Sequence, residues 1–298
     1  MAHPSPPVIG IIGGSGLYQI DGLQDVTWRK VASPFGEPSD ELCFGRLEGT
    51  PVVFLPRHGR GHRLSPSDIN FRANIDALKR AGVTDVLSVS AVGSLREDLP
   101  PGTFVVVDQF IDRTFARTKS FFGTGCVAHV SMAKPVCSRL GDAAMGAMQG
   151  LGIPAKRGGS YLAMEGPQFS TLAESELYRS WGCSVIGMTN MPEAKLAREA
   201  ELCYATVAMV TDFDCWHPGH EAVTVEQVVS TLTANAGKAR ALVKNVVPRL
   251  GQHVGPCRHG CQTALENTFI TAPEAMDPAV VQRLDAVAGR VLKRQVRS

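Results

Sequence analysis

The sequence predicts a single α/β domain built on a central mixed β-sheet flanked by helices. Short apolar runs alternate with helix-patterned segments along the chain, and glycines or polar residues close most runs. No composition break separates two halves. Of the 298 residues, 44% are hydrophobic and 19% charged, which supplies a large core and excludes intrinsic disorder.

The elements follow in chain order. Residues 8–12 are wholly apolar and run into Gly13-Gly14-Ser15-Gly16, a buried strand entering a tight glycine loop. A second apolar run, 52–55, ends at Arg57-His58-Gly59. Phe71, Ile75 and Leu78 then recur at helical spacing, with Gly82 as the stop. Runs 86–89 and 104–107 read as strands, the latter ending at Asp108. Thr171 and Glu174 form a capping box for a helix expected to reach Trp181 and stop at Gly182. Strands over 185–188 and 204–210 flank a short helix over 194–199. Thr224 and Gln227 make a second capping box, opening a long helix expected to end before Pro248. Asp277-Pro278 reads as an N-cap with proline at the first helical position, and Val281, Leu284, Val287 and Val291 mark that helix's buried face. We read residues 1–250 as the domain and 251–298 as a C-terminal extension packed on it.

Composition narrows the function. Thirty Lys+Arg against 28 Asp+Glu leave a net charge of +2, which argues against a dedicated nucleic-acid binder. No stretch approaches the roughly 18 apolar residues of a membrane span, and the N-terminus has no signal-peptide pattern. Eight cysteines are too dilute for a disulfide framework. A soluble, cytoplasmic protein is expected.

In open α/β sheets, ligands sit beyond the carboxyl ends of strands, so polar residues just after apolar runs matter most. Ser15, Arg57, His58, Ser90 and Thr189 share a chemical sense: cations, donors and hydroxyls beside glycine-loop N–H groups describe an oxyanion site, most simply phosphate. Asp212 and Asp214 stand two apart at a strand end, a pair open to metal binding, acid–base work or turn capping. His217 and His220 lie nearby but complete no defensible metal spacing. The first glycine loop is not G-x-G-x-x-G, and no Gly-Lys-Ser/Thr follows it, which counts against a nicotinamide-dependent oxidoreductase and a Walker loop. Cys257 and Cys261, four apart with His259 between, lack a second ligand pair in sequence. A disulfide or two plain thiols is therefore preferred to zinc, and no metal is expected.

Six motifs occur in one order: Gly13-Gly14-Ser15-Gly16, Pro56-Arg57-His58-Gly59, Ser90-Ala91-Val92-Gly93-Ser94-Leu95, Met164-Glu165-Gly166-Pro167, Gly187-Met188-Thr189 and Thr211-Asp212-Phe213-Asp214. Together with the run from Asp108 to Thr114, this set resembles the trimeric purine nucleoside phosphorylase family, and within it the methylthioadenosine phosphorylases, over residues 8–247. The resemblance implies a nucleoside phosphorylase fold, a homotrimer or dimer of trimers, and active sites near subunit interfaces. It implies a pentosyltransferase that needs no cofactor and takes inorganic phosphate as co-substrate. It places phosphate at Ser15, Arg57, His58, Ser90, Ala91 and Thr189, ribose against Met188, and the purine on Asp212 and Asp214. Phe169 would pack on the base, Ser170 and Val225 would set specificity, and His129 would reach the neighbour's 5' substituent. The aspartate pair suits a 6-aminopurine, and the apolar Val225 suits a 5'-methylthio group. The alternatives are a 6-oxopurine or methylthioinosine phosphorylase and a non-catalytic nucleoside-binding module. The extension with Cys257, Cys261 and Thr271 resembles microbial members, some of which join close cysteines here in a disulfide.

Overall fold

The computed structural model describes residues 6–14, 16–218 and 225–295. Eleven strands are described: β1 Val8–Gly13, β2 Gln24–Arg29, β3 Leu42–Leu47, β4 Thr50–Pro56, β5 Val83–Ser94, β6 Phe104–Val106, β7 Gln109–Asp112, β8 Ala155–Arg157, β9 Ser160–Ala163, β10 Val185–Gly187 and β11 Cys203–Asp212. The helices are α1 Phe71–Arg80, α2 Ser138–Gly150, α3 Leu172–Ser180, α4 Asn190–Glu199, α5 Val225–Gly251, α6 Pro278–Arg283 and α7 Gly289–Gln295.

All strands join one mixed sheet. The long strand β5 is its axis: β1 and β11 run parallel to it on either side, and β10 pairs antiparallel with its last residues. β4 lies parallel to β1, and β2-β3-β4 form an antiparallel meander beyond it. Alternate side chains on the central strands enter opposite faces. In β11, Tyr204, Ala208 and Val210 join the layer with α1, α4 and α7, while Ala205, Val207 and Met209 join the layer with α2 and α5. This two-sided burial explains why the central strands read as unbroken apolar runs.

The Thr171 capping box forms: Thr171 Oγ1 accepts from the Glu174 N–H, and the Thr171 N–H donates to Glu174 Oε2 at 2.8 Å. Thr224, of the second expected box, lies outside the described residues. The long helix α5 does not end before Pro248 but continues to Gly251. Proline removes one backbone bond near the C-terminus, and burial of Val246, Val247 and Leu250 holds the last turn in place. The last expected helix is divided into α6 and α7 by a loosened turn, in which the Ala288 N–H still donates to the Leu284 carbonyl. Leu284, Val287 and Ala288 are all fully buried there. Beyond residue 251, Leu265, Met276 and Leu292 enter the first apolar layer and Cys257 and Cys261 the second.

Candidate active site

β1 and β4 finish level, Gly13 beside Pro56, so the chain after β4 meets the glycine loop: the Arg57 N–H donates to the Gly13 carbonyl at 2.9 Å. A side chain at position 13 would stand 2.2 Å from Leu17 Cδ1, which is why glycine opens this loop. Ser15 lies outside the described residues. Arg57 is buried, and its guanidinium bonds inward. Nε donates to Glu193 Oε2 at 2.8 Å, Nη2 to Ser88 Oγ at 2.6 Å and Glu193 Oε1 at 3.3 Å, and Nη1 to the Val89 carbonyl at 3.1 Å. One Nη1 hydrogen of its five N–H groups is left for a ligand. Burial opposes the charge, and Glu193 more than restores it.

His58 is half-buried, with Nδ1 2.9 Å from the Leu64 carbonyl. A carbonyl only accepts, so Nδ1 carries the proton and Nε2 presents a lone pair when the ring is neutral. Burial first, then Arg57 and the stacked His62 ring at 4.1 Å, push its pKa down to about 4 although the Leu64 bond opposes them. A neutral His58 offers a ligand an acceptor at Nε2 rather than a positive charge.

Behind these groups lies one buried polar network. Ser90 Oγ donates to Asn190 Oδ1 at 3.1 Å, and Asn190 Nδ2 donates to Tyr204 Oη and Thr206 Oγ1, both at 2.7 Å. Tyr204 in turn donates to Glu193 Oε1 at 2.8 Å. Beside it the buried hydroxyls of Thr189, Tyr161 and Ser90 cluster: Tyr161 Oη lies in reach of the other two, yet neither it nor Thr189 Oγ1 makes a well-aligned hydrogen bond. Thr189 is the N-cap of α4, yet its side chain caps nothing. A buried hydroxyl without a good partner costs about 1–3 kcal/mol, and an anion's oxygens would satisfy both groups. Ala91 follows Ser90 on β5, half-buried.

Beyond β10, the segments carrying Met188 and Glu165 are braced by Arg117, which is buried. Its Nη1 donates to the Met188 and Met191 carbonyls at 2.6 and 2.7 Å and its Nη2 to the Glu165 carbonyl at 2.7 Å. The Glu165 carboxylate accepts from the Ser67 hydroxyl and from the Phe115 and Ala116 N–H groups. Gly166 keeps a positive φ of 70°, and a side chain there would sit 2.5 Å from Met188 Sδ.

Asp212 closes β11 at an irregularity in its pairing with β5. Its Oδ2 accepts from Thr211 Oγ1 at 2.7 Å and its Oδ1 from the Asp214 N–H at 2.8 Å. Asp214 is buried with a left-handed φ of 53°, its Oδ2 unpartnered beside Ser170 and Ser175. Burial raises both carboxyl pKa values, with Asp214 adding to the rise at Asp212 and Glu174 to that at Asp214. The pair therefore holds protons more readily than free carboxylates.

The structure thus gathers Arg57, His58, Ser90, Ala91, Met188, Thr189, Ser170, Asp212 and Asp214 around the second half of β5. Phe169 and Val225 are exposed. His129 is exposed on the surface, its N–H bonded to the Thr268 carbonyl, and a single chain does not bring it to the others. His217 pairs through Nε2 with Glu97 at 3.0 Å and stacks on Phe213, and His220 lies outside the described residues. Glu193, Asn190, Ser88, Tyr161 and Arg117 were not expected from the sequence. Cys257 and Cys261 are not joined: their sulfurs stand 3.8 Å apart, and none of the eight cysteines is in a disulfide.

The sequence profile of the Phosphorylase superfamily matches residues 8–248. The chain belongs to this family. S-methyl-5'-thioadenosine phosphorylase of Rhodospirillum rubrum is 65% identical over 286 residues, which cover 96% of this chain and 97% of that one. The enzyme of the same name from Cereibacter sphaeroides is 62% identical, covering 96% and 99%. Among solved structures, a methylthioadenosine phosphorylase from an antarctic soil metagenomic library superposes with a TM-score of 0.89 at 47% identity, covering 96% and 99%. Methylthioadenosine phosphorylase from Schistosoma mansoni in complex with adenine follows with a TM-score of 0.84 at 36% identity, covering 88% and 99%. The phosphorylase superfamily is thus the frame for the anion site and carboxylate pair on β5 and β11.

Proposed function

We propose that the chain cleaves the N-glycosidic bond of 5'-methylthioadenosine with inorganic phosphate, releasing adenine and 5-methylthioribose 1-phosphate. The observation that carries this reading is that the second half of β5 brings the buried Ser90, Thr189 and Tyr161 hydroxyls to the same strand end as Asp212 and Asp214, whose carboxyl pKa values burial raises. The names of relatives up to 65% identical along nearly the whole chain support it.

Phosphate is held by the free Nη1 hydrogen of Arg57, by Ser15, Ser90 and Thr189 hydroxyls, by the Ala91 backbone and by His58 Nε2. A phosphate oxygen bonds to the anomeric carbon as the C1'–N9 pair departs with the purine. Asp212 transfers its proton to N7, so the base leaves neutral and Asp212 is left as the carboxylate. Met188 lines the ribose. Phe169 packs on the adenine, and Ser170 and Val225 shape the ends of the pocket. No cofactor enters these steps. A 6-oxopurine would set an oxygen against the acceptor carboxylate of Asp214, which favours the 6-amino substrate.

We place the enzyme in the cytoplasm as a homotrimer. Eight cysteines with no disulfide among them suit a reducing compartment, and no described helix is long and apolar enough to cross a membrane. His129 would complete the neighbour's site. The test is base release from 5'-methylthioadenosine with and without phosphate, beside inosine and methylthioinosine. Phosphate-dependent adenine release is expected. Hypoxanthine release in its place would overturn the role of the carboxylate pair, and phosphate-independent release would overturn the anion site.

A further inference from the structure

We propose that Cys137, Cys203, Cys257 and Cys261 form a closed tetrathiolate zinc site that fastens the C-terminal segment to the sheet. The sequence offers only the Cys257/Cys261 pair; the fold supplies the second. Cys137 precedes α2, Cys203 opens β11, and all four sulfurs are buried and lie within 4.8 Å of one another. The Cys137–Cys257 and Cys257–Cys261 Sγ separations are 3.6 and 3.8 Å. Zinc bonded to four thiolates at about 2.3 Å sets the sulfurs at the corners of a tetrahedron with edges of about 3.8 Å, and a disulfide would need about 2.05 Å. Soft sulfur ligands with no open position select a structural zinc rather than a hard cation.

The surroundings are arranged for thiolates. Cys257 and Cys261 share a tight turn in which the Gly260 N–H donates to the Cys257 carbonyl at 3.0 Å and Gly260 takes a left-handed φ of 65°. Their spacing falls within the two to four intervening residues usual for paired zinc ligands. Cys137 is the N-cap of α2, where the Leu140 N–H faces its sulfur and the helix dipole favours negative charge. The Arg139 guanidinium stands beside Cys203, anchored to Asp85 by an ion pair. Its Nε and Nη1 are buried with no oxygen or nitrogen partner, and a thiolate would give them one. The site is structural rather than catalytic. Cys203 and Asp212 are the two ends of β11, and nine residue steps at about 3.3 Å put roughly 30 Å between them.

The experiment is metal analysis of the full-length enzyme, purified under reductant without chelator and then incubated with zinc. One zinc per chain is expected, with four thiols masked from a thiol reagent until a mercurial displaces the metal. Cobalt(II) in its place should show sulfur-to-metal charge transfer and the d–d bands of a tetrahedral ion. Cys257→Ser and Cys261→Ser should each lose zinc and lower Tm while keeping the phosphorylase activity at low temperature. A correctly folded wild type that stays metal-free after incubation, with four titratable thiols, would show a mere packing cluster. A mass lower by two hydrogens per linked pair would show disulfides. Either result overturns the proposal, and neither bears on the phosphorylase reading.

Discussion

Asp212 and His58 hold opposite ends of the proposed reaction, and both are tuned by burial. At Asp212, burial and the neighbouring Asp214 favour the protonated acid, while Thr211 and the Asp214 N–H support the carboxylate. Asp212→Asn keeps an oxygen for the Asp214 N–H, so Tm should move little. It removes the titrating proton, and kcat/KM for methylthioadenosine should fall on the order of 10²–10⁴-fold. Adenine release at the parental rate would show that another group protonates the base. At His58 the sign is that of a buried neutral base. Below pH 6.5 the unfolded chain gains the His58 proton, whereas the folded chain resists until about pH 4, so stability falls as pH drops through that window. His58→Asn preserves a donor for the Leu64 carbonyl and removes the titration. Thermal melts from pH 7 to pH 4 should therefore show a shallower loss of Tm in the variant, and parallel curves would mean that His58 does not titrate there.

At the scale of elements, the site depends on how closely β5 and β11 approach at their ends. Gly93 lies beside Asp212, and a Cβ at that position would stand 2.9 Å from Asp212 Oδ1 and 3.3 Å from the Asp214 nitrogen. Gly93→Ala should displace both carboxylates by a few tenths of an ångström or more. We expect kcat/KM to fall on the order of 10²-fold with phosphate affinity nearly unchanged, because misplacement acts at the base and not at Thr189. Equal losses in both would show that the two halves of the site move together. The central strands and α3 were legible because two-sided burial and a local capping box write themselves into neighbouring residues. β2 was not: Gln24–Arg29 is an exposed edge strand without alternation. Nor was α2, whose Gly141, Gly146 and Gly150 read as breakers. At Gly141 the Arg157 guanidinium packs against the helix backbone, 2.6 Å from where a Cβ would stand. The candidate ligands were visible one by one at strand ends. Glu193, 136 residues from Arg57, carried no sign of the partner that fixes the arginine's orientation.

On the whole molecule, the nucleoside side of the site remains open in one chain. Phe115 is 81% exposed, and Leu172 and Leu177 face outward on α3, the helix whose Ser175 lies beside Asp214. Apolar side chains exposed there are a surface that a second subunit of the proposed trimer would cover. In the proposed cyclic trimer the contact would be heterologous, and one chain's His129 would serve a site other than its own. This arrangement has a consequence in mixed assemblies. Asp212→Asn spoils its own site but still offers His129 to a neighbour, and His129→Ala keeps its own carboxylates while depriving the next site. Trimers reassembled from equal amounts of the two weakened variants should contain intact sites wherever a His129→Ala subunit receives the histidine of an Asp212→Asn subunit. Random mixing makes that about a quarter of all sites, so activity should recover to about a quarter of wild type, above either parent alone. Activity equal to the mean of the two parents would place His129 in its own subunit's site, or outside the reaction altogether.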